Sequence, residues 1–244
     1  MKVIIFADSY VGFKILEFIV KSYLKDIACV VLKKNLNIKK LCTQNNIQYY
    51  NYTSRLDMLQ IMRRHQVELG VLAWWPHIIS QDILKCAKFG FINVHNSYLP
   101  NHKGKNPYFW AILNQEKYGV TLHKVDEGID TGEIIDQREI PYCWEDTAGS
   151  LYHKSLNEVL DLFKYNYPKI RLGKVKSKKQ DKNGSFHFKK DMEKYSEIFL
   201  DKNYEAKYLF NLLRAKTSNS VFPSCFFKDG GNIYGVKISI NKIK

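Results

Sequence analysis

The chain has 244 residues, a mass of 28.7 kDa and a formal net charge of +14, with 45% hydrophobic, 14% aromatic and 25% charged residues. That length holds one large domain or a domain plus a small appendage, and so ordinary a composition excludes collagen, coiled coil and general disorder. No apolar run approaches the roughly 18 to 20 residues of a membrane span, Asp8 interrupts the opening MKVIIFADSY where a signal peptide stays apolar, and five scattered cysteines without a Cys-x-x-Cys spacing suggest neither disulfides nor a thiolate zinc site, so a cytoplasmic protein without membrane insertion is expected.

Lys2 to Ala7 reads as a buried strand, Asp8 to Tyr10 as a loop, and Val11, Ile15, Leu16, Ile19 and Tyr23 as one face of a helix. Ile27 to Leu32 is the next strand, Asn37 to Asn45 a short helix, Gln48 to Tyr52 a weak strand and Leu56 to His65 a helix. Val67 to Trp74 and Phe89 to Val94 are further buried strands, separated by a helix at Gln81 to Ala87. Short apolar strands alternating with helices predict an α/β fold: a Rossmann-like, open, mostly parallel sheet with helices on both faces. Ligands of such sheets bind at strand carboxyl ends, which directs attention to Ala7–Gly12, Trp74–Ser80 and Asn93–Lys105. None contains GxGxxG or a P-loop, so the usual dinucleotide and ATP sites are disfavoured.

A helix follows at Asn106 to Asn114, then strands at Tyr118 to Val125 and Glu133 to Ile140 flanking the loop DEGIDTG, then a helix from Thr147 to Tyr165 ended by Pro168 and Gly173. The tail offers a hairpin at Asn183-Gly184, a helix at Tyr204 to Ala215 and a second hairpin of Ser224 to Phe227 with Ile233 to Ile240. This divides the chain into a core, 1–172, and a small C-terminal α+β appendage with a β-hairpin, 173–244. Between Arg171 and Lys190 eight basic residues face one acid. That run reads as a solvated, lysine-rich linker, while the overall basic excess favours anionic partners without naming one.

Residues 93 to 112 read NVHNSYLPNHKGKNPYFWAI and residues 119 to 135 read GVTLHKVDEGIDTGEII. This pair of blocks closely resembles the formyltransferases that use 10-formyltetrahydrofolate, whose pattern is filled here by Asn93, His95, Ser97, Leu99, Pro100, Lys103, Gly104, Pro107, Trp110, Gly119, Val120, Thr121, Asp130, Thr131 and Gly132. The resemblance implies a catalytic triad of Asn93, His95 and Asp130. The chemistry agrees: a formyl carbonyl attacked by an amine gathers negative charge on its oxygen, which needs donors, and the amine must lose a proton. Asn93 and His95, two apart on a strand, share a face; Asp130 joins them only if DEGIDTG folds back. No metal is expected, because His95 has no second ligand at metal spacing along its strand.

The resemblance further implies folate recognition largely by backbone groups around His77 and Ile79 in one loop and Val125, Asp126 and Glu127 in another. Of the branches of this family, the short tail and Lys105 look most like those that formylate amino sugars on nucleotides, such as a dTDP-4-amino-4,6-dideoxyhexose destined for lipopolysaccharide O-antigen and other surface polysaccharide. Ser9, Tyr10, Ser97, Lys103 and Lys105 are then the expected acceptor contacts, although Ser9 or Asp8 reads equally as a helix cap. Phe222, Phe226 and Tyr234 are candidate platforms for the base. Methionyl-tRNA formylation is the runner-up; otherwise no nucleic acid is expected. A noncatalytic nucleotide-binding module is the remaining alternative, and self-association of the tail as a homodimer is left open.

Overall fold

The computed structural model describes residues 1–218 and 221–243. It divides into two compact units, one of Met1–His95, Thr121–Gln137 and Glu158–Gln180, the other of Asn96–Val120, Arg138–Asn157 and the chain from Asp181 onward.

The first unit is built on strands β1 (Val3–Ala7), β2 (Ile27–Leu32), β3 (Tyr49–Asn51), β4 (Leu69–Ala73) and β5 (Phe91–His95), all mutually parallel in the order β3-β2-β1-β4-β5. The connecting helices are α1 (Tyr10–Tyr23), α2 (Leu36–Gln44), α3 (Arg55–His65) and α4 (Gln81–Lys85). β1 and β4 are buried at every position, as expected of strands covered on both faces, which explains why they read as unbroken apolar runs. On one face Ile4, Phe6, Cys29, Val31 and Leu72 pack with Met58 and Met62 of α3 and Ile83 and Leu84 of α4. Towards the other, Phe18 of α1 meets Phe163 and Tyr167 edge-on, both at 6.2 Å.

Beyond β5, chain direction reverses. Excluding the two-residue β6 (Lys103–Gly104) and the helix α5 (Pro107–Asn114), the next strand is β7 (Gly119–Val125), antiparallel to β5, followed by β8 (Ile134–Glu139) at the sheet edge. The helix α6 (Ala148–Ile170) runs past the expected stop at Tyr165 and through Pro168. Proline removes one helical N–H, but the buried Tyr167 stacks on Phe163 at 5.3 Å and Arg171 N–H still reaches Tyr167 O at 3.0 Å, so packing outweighs propensity. Arg171, read from the sequence as part of the solvated run, instead grips the buried Asp26 through Nε at 2.6 Å and Nη2 at 2.9 Å.

In the second unit no hairpin forms at Asn183-Gly184. Gly184 passes so near Pro100 O that a Cβ would lie 2.3 Å away, and the chain continues into β9 (Phe186–His187), which pairs parallel with β6. His187 stacks on Trp110 of α5, their centroids 3.9 Å apart. A 3-10 segment, Lys189–Tyr195, leads to α7 (Ala206–Lys216), which packs on α5, and to the expected hairpin of β10 (Cys225–Asp229) and β11 (Asn232–Val236). Its turn uses Gly230 and Gly231, both at positive φ.

Burial pushes the Cys29 thiol up to about 12 and those of Cys42 and Cys225 up to about 11, whereas Cys143 is exposed and Cys86 half-buried. A disulfide-exchange reagent at neutral pH is therefore expected to titrate Cys143 first, Cys86 more slowly and the other three only after denaturant is added. Five thiols reacting together in the native protein would contradict this burial.

Candidate active site

Asn93 and His95 leave the sheet two residues apart on β5, so their side chains share a face. The antiparallel register sets His123 opposite Asn93 and Thr121 opposite His95. The loop Asp126 to Gly132 folds back over them. Asp130 Oδ1 accepts from Asn93 Nδ2 at 3.3 Å, and Oδ2 lies 3.6 Å from His95 Nδ1. His95 is only 7% exposed, so water does little to screen these groups.

Local chemistry explains the loop. Asp126 Oδ1 accepts from the Thr131 hydroxyl at 2.5 Å and from Gly128 N–H at 3.2 Å, closing a side-chain-capped turn. Asp130 takes a left-handed backbone, φ +55°, which short polar residues tolerate better than branched ones. Gly132 passes so close to β7 that a Cβ would lie 1.8 Å from Lys124 O, which leaves glycine as the residue for that position.

The sequence reading missed His123. It is buried; its Nδ1 donates to Lys124 O at 2.7 Å, and its Nε2 lies 3.2 Å from Asn93 Nδ2, from which it accepts when Nε2 carries no proton. The same Nε2 lies 3.5 Å from Asp130 Oδ1. The Asn93 amide nitrogen is thus shared between His123 and Asp130 through two long hydrogen bonds, a geometry from which one N–H can turn to a ligand at small cost.

The other expected residues divide by employment. Ser9 caps α1, accepting from Gly12 N–H at 3.1 Å, and Tyr10 beside it is 54% exposed. Asp8, also weighed as a cap, instead accepts from the N–H groups of Lys33, Lys34 and Asn35 at 2.8 to 3.0 Å and so fixes the loop after β2. His77 stacks on Tyr52 at 5.1 Å, and its Nε2 lies 3.0 Å from Lys33 Nζ. Ile79 is buried in the core cluster on which Val125 also packs, so the two expected folate loops anchor on one apolar cluster. Asp126 and Glu127 are exposed.

In the second unit Ser97 is fully buried. Lys103 and Lys105 donate backbone N–H groups to Ser185 O and His187 O, both at 3.0 Å, while among the described residues neither ammonium has an ion-pair partner. Phe222 stacks on Tyr108 at 5.9 Å and meets Phe109 edge-on, an employment in packing, whereas Tyr234 is exposed and stacks on Phe227.

Residues 19–162 match the Formyl transferase family. The chain belongs to that family. Residues 191–242 also match an N-formyltransferase dimerization C-terminal domain. Among solved structures, a sugar N-formyltransferase from Shewanella sp FDAARGOS_354 shares the fold over 100% of this chain and 99% of its own, with a TM-score of 0.83 at 20% identity. The N-formyltransferase of Helicobacter canadensis, in complex with folinic acid and dTDP-3-aminofucose, is 26% identical with a TM-score of 0.69, covering 88% of this chain and 80% of its own. The chain spans only 35% of the bifunctional polymyxin resistance protein ArnA of Wigglesworthia glossinidia brevipalpis, to which it is 28% identical over 89% of its own length. It spans 65% of the methionyl-tRNA formyltransferase of Fusobacterium nucleatum, at 30% identity over 84% of its length.

Proposed function

We propose that this formyltransferase transfers a formyl group from 10-formyltetrahydrofolate to the amine of a nucleotide-linked amino sugar, a dTDP-4-amino-4,6-dideoxyhexose, for surface polysaccharide synthesis in the cytoplasm. The observation that carries it is the convergence of Asp130 on Asn93 and His95. 10-Formyltetrahydrofolate supplies the formyl carbon, carried on a nitrogen that can leave. Two loops anchored on one apolar cluster suit a flat heterocycle read by backbone groups, from His77 and Ile79 on one side and Val125, Asp126 and Glu127 on the other.

Asn93 and His95 donate to the carbonyl oxygen as charge builds on it, and preorganised donors of this kind lower the barrier because they need no reorientation. Asp130, 3.6 Å from His95 Nδ1, orients that ring and receives the proton that the attacking amine sheds; as the tetrahedral adduct collapses, the bond from the formyl carbon to the folate nitrogen breaks and that nitrogen takes a proton back from the site. His123 holds the Asn93 amide, so that its second N–H can be aimed at the oxygen. Lys103 and Lys105 are the proposed cationic contacts for a pyrophosphate, and Ser9, Tyr10 and Ser97 remain the other proposed acceptor contacts.

The acceptor class is supported by the tail. The sugar N-formyltransferase from Shewanella has the same fold over its whole length, and the complex from Helicobacter canadensis holds dTDP-3-aminofucose. We place a functional division near residue 172, a reading supported by the two family matches, 19–162 and 191–242, which lie on either side of it; self-association through the tail is supported by the description of the second and by the exposed Phe199, Leu200, Ile233 and Tyr234. Among the described residues no helix is long and apolar enough to cross a membrane.

Charge tests the acceptor. A nucleotide sugar brings one pyrophosphate, so the acceptor KM is expected to depend weakly on salt, whereas tRNA contacts many phosphates and weakens steeply. Lys105→Ala is expected to raise the acceptor KM severalfold while leaving the folate KM and kcat near wild type, because it removes uniform binding rather than a transition-state contact. A fall in kcat with both KM values unchanged would contradict that role.

A further inference from the structure

The lysine-rich run has a task in the first unit before it passes into the second. Residues 177 to 180 lie along the loop that carries Asp130. Ser177 Oγ donates to Glu133 Oε2 at 2.6 Å, and Lys178 and Ile134 exchange backbone N–H···O bonds, both at 2.8 Å. Gln180 then turns its amide onto the loop itself, with Nε2 donating to Asp130 O and to Gly132 O, both at 2.8 Å. Its Oε1 is buried without a donor among the described residues, so the side chain is committed to those two carbonyls rather than to a wider polar network.

We propose that Gln180 is a positioning residue for the transfer reaction: by holding the carbonyls on either side of Thr131, it keeps Asp130 in the backbone conformation that aims its carboxylate at Asn93 and His95. This rests on the functional reading given above. A non-glycine residue at φ +55° has lower-energy alternatives in the extended and right-handed regions, and relaxing into either would swing the Asp130 side chain away. The turn closed by Asp126 and Thr131 constrains the loop on its N-terminal side. The amide of Gln180 constrains it on the C-terminal side, because one nitrogen bonded to two carbonyls two residues apart fixes the peptide planes between them. An amide is the fitting group: leucine fills the space with no donor, and a carboxylate turns negative oxygens toward two carbonyl oxygens. A catalytic group displaced by about 1 Å loses on the order of 100-fold in rate, so a partial release of this loop is readable in kcat.

The test compares Gln180→Leu, Gln180→Glu and Gln180→Asn with the wild type and with Lys176→Ala, an exposed neighbour. Four quantities are measured: kcat, both KM values, the thermal midpoint, and amide hydrogen exchange over residues 126 to 132. Gln180→Leu is expected to lower kcat on the order of 10-fold with both KM values within about 2-fold, and to speed exchange in that loop while β1, β4 and β5 stay protected. Gln180→Glu is expected to be slower still, and Gln180→Asn, which keeps the amide one methylene short, intermediate. Lys176→Ala is expected to match the wild type. Where Gln180→Leu fails to fold, Gln180→Asn gives the same readings. Unchanged loop exchange in the variants, an unchanged kcat, or losses confined to KM or to the thermal midpoint would overturn the proposal. A wild type that formylates no acceptor would overturn the functional reading instead, and loop exchange alone would then decide whether Gln180 holds Asp130.

Discussion

His95→Ala is expected to cut kcat by on the order of 100-fold or more, and Asn93→Ala and Asp130→Ala by similar factors. His95 is the last residue of β5, and its ring lies within reach of Asp130 at 3.6 Å. On the proposed mechanism, truncating it removes a donor to the formyl oxygen and the contact through which Asp130 acts. If the three side chains work as one unit, as proposed, the double variant Asn93→Ala/His95→Ala is expected to lose far less than the product of the two single losses. His123→Leu, which frees the Asn93 amide without removing it, is expected to fall between wild type and Asn93→Ala. Single-turnover rates with saturating folate and acceptor, beside thermal midpoints, check this. Wild-type turnover in either Asn93→Ala or His95→Ala would refute the assignment of the donors.

The second large effect is on stability. Asp26 is 4% exposed and is held by both nitrogen donors of Arg171 and, at 3.3 Å, by the Tyr167 hydroxyl. Arg171→Met strands that carboxylate, and breaking a buried pair from one side costs about 3 kcal/mol, the lower end of the usual range because Arg171 is itself partly exposed. The pH dependence follows from direction. Arg171 holds the Asp26 carboxyl below its ordinary value of 3.8, so the stability it contributes is complete above that value and is lost as pH falls through the lower, folded-state value. In Arg171→Met the stranded carboxyl titrates higher, so the gap between variant and wild type is expected to be widest near neutrality and to narrow as acid protonates that carboxyl. Urea unfolding at several pH values measures it; a gap that widens in acid would contradict the pairing.

Much of the fold was legible because parallel strands covered on both faces leave a plain trace. VIIFA and LGVLA are apolar at nearly every position, and each is followed within a few residues by polar loop residues. What escaped depended on partners distant in sequence. Nothing near Pro168 announces that Tyr167 and Arg171 will find Phe163 and Asp26, and Asn183-Gly184, a good local turn, loses to the parallel pairing of β9 with β6. The meeting of Asn93, His95 and Asp130 could be anticipated because they sit in two compact motifs. His123 could not, since its meeting with Asn93 follows from the antiparallel register of β7 on β5, which the residues themselves do not state. The Thr-Leu-His spacing offers one hint: it puts His123 on the same side of its strand as Thr121, the residue opposite His95. Gln180 lies 50 residues from Asp130 in a run whose composition speaks only of solvent.

The most direct measurement incubates the protein with 10-formyltetrahydrofolate and, in parallel, dTDP-linked 4-amino and 3-amino dideoxyhexoses and charged initiator tRNA, at low and physiological salt, and follows formylated product by mass spectrometry. A dTDP-amino sugar is expected to be formylated fastest, with little change between the two salts and with product from Asn93→Ala/His95→Ala slowed by on the order of 100-fold or more. Faster formylation of the tRNA, collapsing as salt rises, would contradict the sugar acceptor, and no formylated product from any acceptor would contradict formyl transfer itself.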